Sequence, residues 1–393
     1  MTGVAVTGPA PASESLRAAL AAALAAELPA AIELRHELHR EPELSGAETR
    51  TAAAVAAALG APDARPVAGT GRLIRIGPRA GPSIAIRAEL DALPLAEQTG
   101  AAWASRAGAM HACGHDVHLA ALTALARAAR AVELPVALLA VLQPREETAP
   151  SGARDIAASA SLAAHQPRAV VGVHLQHQLP RGTVAAAAGV INAASDDFEI
   201  QVTGVGGHAG YPHLAADPVP ALCQSVLTLQ QLVSRRTDPT HAVVISVGVL
   251  AAGQAANVIP AAATARGTLR AMDERDRQFL HAALRDTVSH ACLAHGCEGS
   301  VTISAGEPAL VNDELLAAAS QPLLRQAGFS VDTRFRSCGA DDFSYYAAVA
   351  PTLMLFAGSG TDVTLHHPGF LPADTAVGEV AAAMLAGYLA ALG

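Results

Sequence analysis

Cysteine is scarce in this chain: five in 393 residues, at positions 113, 223, 292, 297 and 338, an odd number without the spacing of a disulfide framework. That excludes a small disulfide-stapled scaffold and fits a reducing cytosol. The one close pair, Cys292 and Cys297, lacks the second pair that a zinc ribbon needs. Basic runs are missing too. Lys plus Arg number 26 against 35 Asp plus Glu, a formal net charge of −9, which argues against nucleic acid as a partner. The alanine-rich N-terminal stretch is interrupted by Glu14, Arg17 and Glu27, and its uncharged piece over residues 18–26 falls short of the roughly 20 residues of a bilayer crossing. It has no basic leader, so a cytoplasmic protein without a membrane partner is expected. Residues 1–12 read as a flexible lead and 13–40 as a helix.

At about 150 residues per domain, the length implies two or three domains with ample core. Apolar, β-rich runs at 72–76, 83–88, 136–142 and 169–174 alternate with helical stretches at 46–59, 114–131 and 152–164. This predicts an α/β domain with a mostly parallel sheet. From about residue 195 the pattern changes to alternating strands at 198–202, 242–250 and 263–271, with helices at 216–234 and 274–295. It predicts a smaller α+β domain with one solvated sheet face. The α/β pattern resumes near 305 and ends in a helix at 375–391. The smaller domain is therefore an insertion, with boundaries at 191–304 inside a discontinuous domain of 1–190 and 305–393.

What is abundant is metal-ligating chemistry in one place. Residues 110–118 read Met-His-Ala-Cys-Gly-His-Asp-Val-His, three imidazoles, a thiol and a carboxylate within nine positions. His111 and His115 are four apart and His115 and His118 three apart, as on one helical face. Thiolate and imidazole suit zinc-like ions. Spacing does not say which of the four ligates. Further chemistry lies at strand ends, where ligands bind in α/β sheets: Glu89 and Asp91 follow 83–88, Glu146 and Glu147 follow 136–142, and His174 closes 169–174. The glycine-rich loop at 204–213 lacks the Lys-Ser/Thr ending of a P-loop and the dinucleotide glycine spacing, so its His208 and His213 read as polar groups shown on a turn. His366 and His367 precede Pro368 in a loop before the last helix, where a late metal ligand is plausible. His36 and His39 read as structural, and Cys223 and Cys338 as buried thiols.

Together these segments resemble the M20 metallopeptidase family, in particular its amidohydrolase branch of N-acyl-amino-acid, hippurate and auxin-conjugate hydrolases. The matching pieces are Arg35-His36-Glu37-Leu38-His39, Arg87-Ala88-Glu89-Leu90-Asp91, residues 110–118, Gln143-Pro144-Arg145-Glu146-Glu147, Gly172-Val173-His174, Gly206-Gly207-His208-Ala209, Asn257-Val258-Ile259-Pro260, Asp341-Asp342-Phe343-Ser344 and His366-His367-Pro368, in family order. The resemblance implies a two-metal centre held by Cys113, His115, Glu147, His174 and His366, with zinc or manganese bound and cobalt or nickel able to serve. It implies Glu146 as general base and Asp91 as a supporting carboxylate. It also implies His208, Asn257 and Arg270 as substrate contacts on a lid domain that pairs two subunits into a homodimer or tetramer. The implied reaction is hydrolysis of a small N-acyl amino acid; a dipeptidase or carboxypeptidase on the same centre is the alternative. A non-catalytic ligand-binding member would need the loss of Glu146 or of a ligand, and neither is lost.

Physics agrees with the implied roles. Paired cations polarise an amide carbonyl and acidify water, and a carboxylate beside another has its pKa raised towards the range of a base. Neighbouring residues leaving a strand point to different sides, so Glu147 can face metal and Glu146 substrate. His208 could donate to the developing oxyanion. The chain departs from the family's wording at Glu89, Arg145, the 148–151 stretch and Asp341. Arg145 beside the base is expected either to pair with Glu146 or to read an anionic substrate.

Overall fold

The computed structural model describes residues 14–393; the expected flexible lead at 1–12 lies outside the described residues. In chain order the elements are α1 (Glu14–Arg40), α2 (Thr49–Ala58), β1 (Pro66–Val67), β2 (Gly71–Ile76), β3 (Ser83–Glu89), α3 (His115–Arg130), β4 (Ala137–Gln143), α4 (Gly152–Ala157), α5 (Ala160–Ala164), β5 (Pro167–Gln176), β6 (Thr183–Ala185) and β7 (Gly189–Asn192). They continue as β8 (Ala194–Thr203), β9 (Gly207–His208), α6 (Pro218–Gln231), β10 (Val243–Ala252), β11 (Val258–Ile259), β12 (Ala262–Ala271), α7 (Glu274–Leu293), β13 (Glu298–Ala305), β14 (Leu310–Asn312), α8 (Glu314–Gln326), β15 (Ser330–Asp332), β16 (Thr352–Gly358) and α9 (Thr375–Ala390). The chain divides into two units. The first holds residues through Gly189 with Val311–Phe335 and Asp342–Gly393; the second holds Val190–Leu310 and Arg336–Asp341.

The first unit is built on an eight-stranded sheet in the order β1-β2-β4-β3-β5-β16-β6-β15. Its middle strands β4, β3, β5 and β16 run parallel, while β2 joins β4, and β6 joins β16, antiparallel. The expected mostly parallel α/β sheet is therefore observed. Every residue of β3, β4 and β16 is buried, so their apolar stretches at 84–86, 137–142 and 353–357 are continuous rather than alternating. Helix α3 is rich in alanine and leucine, strong helix formers, and carries Asp116 in its first turn and Arg127 and Arg130 in its last, as the helix dipole favours. It is buried almost throughout, packed with α1 and α9. By length and composition α1 could cross a membrane, yet its Leu20, Leu24, Ala31, Leu34 and Leu38 lie in this unit's core. The single helix expected at 152–164 is two, because the Ser159 side chain accepts a bond from the Leu162 N–H and starts a new helix.

This topology fixes where a ligand can sit. From β3 the chain crosses through α3 to β4 on one side, whereas β5 lies on the other side of β3 and its connection leads away past β16. The crevice at the carboxyl ends of β3 and β5 is thus the switch point of the sheet.

The second unit has an antiparallel sheet in the order β10-β12-β8-β13, with α6 and α7 on one face. Along β8, Phe198, Ile200 and Val202 point into the core and Asp197 and Gln201 are exposed, the alternation of a sheet solvated on one side. Helix α6 buries Ala221, Leu222, Ser225 and Leu229; Cys223 falls off that stripe and is exposed, and Cys338 is half-buried, so neither thiol is the buried one expected.

Candidate metal centre

The cluster at 110–118 does not act as one helical face, because the helix begins only at His115. Gly114 precedes it in the left-handed conformation, φ +86°, and a Cβ there would lie 2.7 Å from Leu175 Cδ1. Only glycine meets both conditions, so it lets Cys113 and His115 sit on either side of the bend.

Two of the proposed ligands, His115 and His174, have their rings oriented by a bond to a main-chain carbonyl. His115 Nδ1 donates to the Asp91 main-chain carbonyl at 2.8 Å, leaving Nε2 as a lone pair, and that buried Nε2 has no hydrogen-bond partner. His174 Nδ1 donates to the Leu175 carbonyl at 2.6 Å, so its Nε2 also presents a lone pair, 3.4 Å from Cys113 Sγ. His366 sits at φ +62°, unusual for a residue with a Cβ, while its N–H donates to the Ala112 carbonyl at 2.9 Å. Its Nε2 lies 3.3 Å from Cys113 Sγ and 3.4 Å from Glu147 Oε1. His115 Nε2 is 4.0 Å from Glu147 Oε1 and 3.8 Å from Glu146 Oε2. All five proposed ligands therefore come together at the ends of β3, β4 and β5, and Glu146 stands beside them.

Asp91 is buried in the same place, but its carboxylate is not what aims His115. Its Oδ1 is 3.7 Å from His115 Nδ1, whereas Oδ2 accepts the Glu147 N–H at 3.0 Å and the Ser45 hydroxyl at 2.7 Å. The carboxylate thus pins the loop that carries the glutamate pair. Arg145 is also engaged elsewhere: its guanidinium donates to Asp155 at 2.6 Å and to the Ala68 carbonyl, and its N–H donates to Glu48.

The electrostatics call for a cation. Burial, followed by the carboxylates of Glu147, Glu146 and Glu89, pushes the Cys113 thiol well above its ordinary value, so a thiolate here needs compensating positive charge. Burial disfavours the charged form of His115, yet Glu89, Asp91 and Glu147 offset it and leave the ring raised. A thiol, three imidazoles and a carboxylate, with one buried imidazole lone pair orphaned, is a donor set that fits borderline divalent metals.

Beneath the centre lies a buried network that spacing did not reveal. His118 Nδ1 meets Glu89 Oε2 at 2.9 Å, Glu89 pairs with Arg87, and Arg87 Nη2 donates to Asp342 at 2.8 Å. Gln143 Nε2 and the Ser151 hydroxyl also donate to Asp342. Glu89 showed as a strand-end carboxylate and as an unusual residue for its place, and nothing in the sequence pointed to Ser45.

The proposed substrate contacts lie in the second unit. His208 on β9 pairs with Val258 on β11, and Ala209 N–H donates to the Asn257 carbonyl, so His208 and Asn257 share one ribbon; both are exposed. His208 Nδ1 accepts the Gly210 N–H at 2.9 Å, which leaves Nε2–H as a donor. Arg270 on β12 is half-buried and donates to the Cys338 carbonyl at 2.9 Å.

Comparison with known proteins gives a consistent result. The sequence profile described as peptidase family M20/M25/M40 matches residues 85–390. The chain is similar to an N-acetyl-L-cysteine deacetylase of Bacillus subtilis, 34% identical over 86% of this chain and 82% of the relative. It is also similar to an N-acetyldiaminopimelate deacetylase of the same organism, 34% identical over 78% of this chain and 82% of the relative. Among solved structures it resembles a dinuclear metal-binding peptidase of the M20 family from Bacillus subtilis, with a TM-score of 0.80, 30% identity, and coverage of 93% of this chain and 98% of that one.

Proposed function

Because the chain belongs to peptidase family M20/M25/M40 and is an amidohydrolase of that family, we propose that it hydrolyses the amide bond of small N-acyl-L-amino acids, releasing a carboxylate and a free amino acid. The observation that carries the reading is the convergence of Cys113, His115, Glu147, His174 and His366, with Glu146 3.8 Å from His115. The names of relatives that remove acetyl from N-acetylcysteine and N-acetyldiaminopimelate support an acyl amino acid as the substrate class.

In this reading the five residues hold two divalent cations, zinc or manganese, with cobalt or nickel able to replace them. Bound there, the cations would polarise the scissile carbonyl and acidify water. Glu146 takes a proton from the attacking water and returns it to the amide nitrogen as the C–N bond breaks. Asp91 keeps the glutamate loop in place through the Glu147 N–H. His208 Nε2–H donates to the carbonyl oxygen as negative charge develops on it, and Asn257 and Arg270 bind the rest of the substrate. The first unit is then the catalytic domain and the second a lid. The exposed edge strand β10, with Val249 and Leu250 on its surface, supports pairing of two copies through that unit. Five free cysteines support a cytosolic setting.

The test is a substrate panel on protein whose metal content has been measured. N-acetyl and N-benzoyl amino acids should release free amino acid, chelation should abolish the release, and readdition of zinc or manganese should restore it. Faster turnover of dipeptides than of acyl amino acids would transfer the activity to the peptidase alternative, and chelator-resistant turnover would overturn the metal assignment.

A further inference from the structure

Leu175 lies beyond the last β3–β5 pair, Arg87 opposite Gly172, so its backbone has no β3 partner. A buried N–H and C=O must still be satisfied, and here two imidazoles do it. Leu175 N–H donates to His118 Nε2 at 3.0 Å, and the Leu175 carbonyl accepts from His174 Nδ1 at 2.6 Å. The Leu175 side chain packs where a Cβ on Gly114 would be. One residue is thus held by the bend between Cys113 and His115, by His118 and by His174.

The protonation of His118 follows from its partners. A main-chain N–H can only donate, so Nε2 of His118 is a lone pair and its proton is on Nδ1, facing Glu89 Oε2 at 2.9 Å. Glu89 is anchored by Arg87, and Arg87 by Asp342 and Gln143, all of them buried. Nothing in the proposed mechanism uses this chain of bonds, although polar atoms in so dry a place are costly.

We propose that His118 is a positioning residue: supported by Glu89, it clamps Leu175, and Leu175 in turn fixes the tautomer and direction of His174 so that Nε2 faces Cys113. The role rests on the two-metal reading above, because it matters only if His174 binds metal. Imidazole ligands elsewhere depend on such outer partners for their tautomer and affinity.

Two measurements test it. In metal-free protein labelled with 15N-histidine, long-range NMR correlations should show His118 and His174 both as Nδ1–H tautomers; an Nε2–H tautomer at His118 overturns the inference without any variant. Cobalt(II) titration against a competing chelator should show His118→Ala binding roughly 10–100-fold more weakly than the unaltered protein. His118→Gln can offer N–H to Glu89 and a carbonyl to Leu175, and should recover most of the affinity. Wild-type affinity in His118→Ala, or a His118→Gln protein no tighter than His118→Ala, overturns the role. If the unaltered protein binds no cobalt, the two-metal reading itself fails; if it binds two ions and His118→Ala is indistinguishable from it, only the positioning role fails.

Discussion

The proposed metal ligands and the proposed substrate contacts are held by opposite means. In the first unit, Cys113, His115 and His174 are buried, and both histidines give one ring nitrogen to a main-chain carbonyl so that the other is committed as a lone pair. In the second, His208 and Asn257 are exposed on a two-stranded ribbon, and the His208 ring meets local groups, the Gly210 N–H two residues away and the Tyr211 ring at 5.3 Å. Metal geometry tolerates only small errors in ligand position, so its ligands gain from being locked before the metal arrives. A substrate contact can be ordered by the substrate itself, at a cost drawn from binding energy. Changes in the first unit should therefore separate into metal, chemistry and stability effects, while changes in the second should touch catalysis alone.

The sharpest separation, and the largest expected effect, is at the glutamate pair and Cys113. Glu146→Gln should lower kcat by about 10²–10⁴ while metal content stays at the wild-type level. Cys113→Ser should do the reverse first, weakening metal retention while the circular dichroism spectrum and unfolding midpoint of the metal-free protein are kept. Retained turnover in Glu146→Gln would remove that residue from its role. Metal loss in Glu146→Gln would instead make it a ligand and collapse the distinction between neighbours.

Next in size is the ionic frame beside the centre. Arg35 is fully buried and donates to Asp116 at 3.0 Å, to Asp374 at 2.8 Å and to the Pro372 carbonyl at 2.7 Å, and His39 meets the same Asp116 oxygen at 3.0 Å. Asp116→Asn leaves a buried guanidinium underpaired and should destabilise the metal-free protein by about 3–5 kcal/mol in urea unfolding. The pH dependence has a definite sign. Burial pushes the Asp116 carboxyl up, but Arg35 and His39 hold it far below the usual carboxylate range. Its contribution is present above pH about 3.9 and is lost as pH falls through the depressed value. Burial pushes His39 down, yet Asp116 and Glu97 outweigh it and leave the ring raised. That contribution is complete below pH about 6.5 and disappears as pH rises through the raised value. Urea midpoints across pH should therefore fall on both flanks in the wild type, and Asp116→Asn should flatten the acid flank.

Much of this was legible because unbroken apolar strands and clustered ligands leave strong local marks. Three of the four parallel strands, β3, β4 and β5, were readable as apolar runs, and the chemistry at their ends followed from where each run stopped; β16, the fourth, was not read from the sequence. The helical spacing of His111, His115 and His118 misled, since the helix begins only after the left-handed Gly114. The support of His115 by a main-chain carbonyl rather than by the Asp91 carboxylate was invisible, because a carbonyl has no sequence identity. Likewise the Arg87–Glu89–His118 frame joins residues from a strand and a distant helix, and only the tertiary fold brings them together.

The smallest expected effect tests the second unit. His208→Ala removes an exposed ring whose single main-chain bond is local, so the unfolding midpoint should not move by more than the scatter of a surface substitution, within about 0.5 kcal/mol. If Nε2–H meets the developing oxyanion, kcat should fall by about 10²–10³ with little change in KM, because the interaction strengthens only as charge appears. His208→Gln keeps an N–H donor at similar reach on a more flexible side chain and should restore part of kcat. A rise in KM at constant kcat would make His208 a uniform binding contact instead. A drop in the unfolding midpoint would make it part of the ribbon's own structure, and the contrast between a locked metal centre and an uncommitted contact surface would no longer hold.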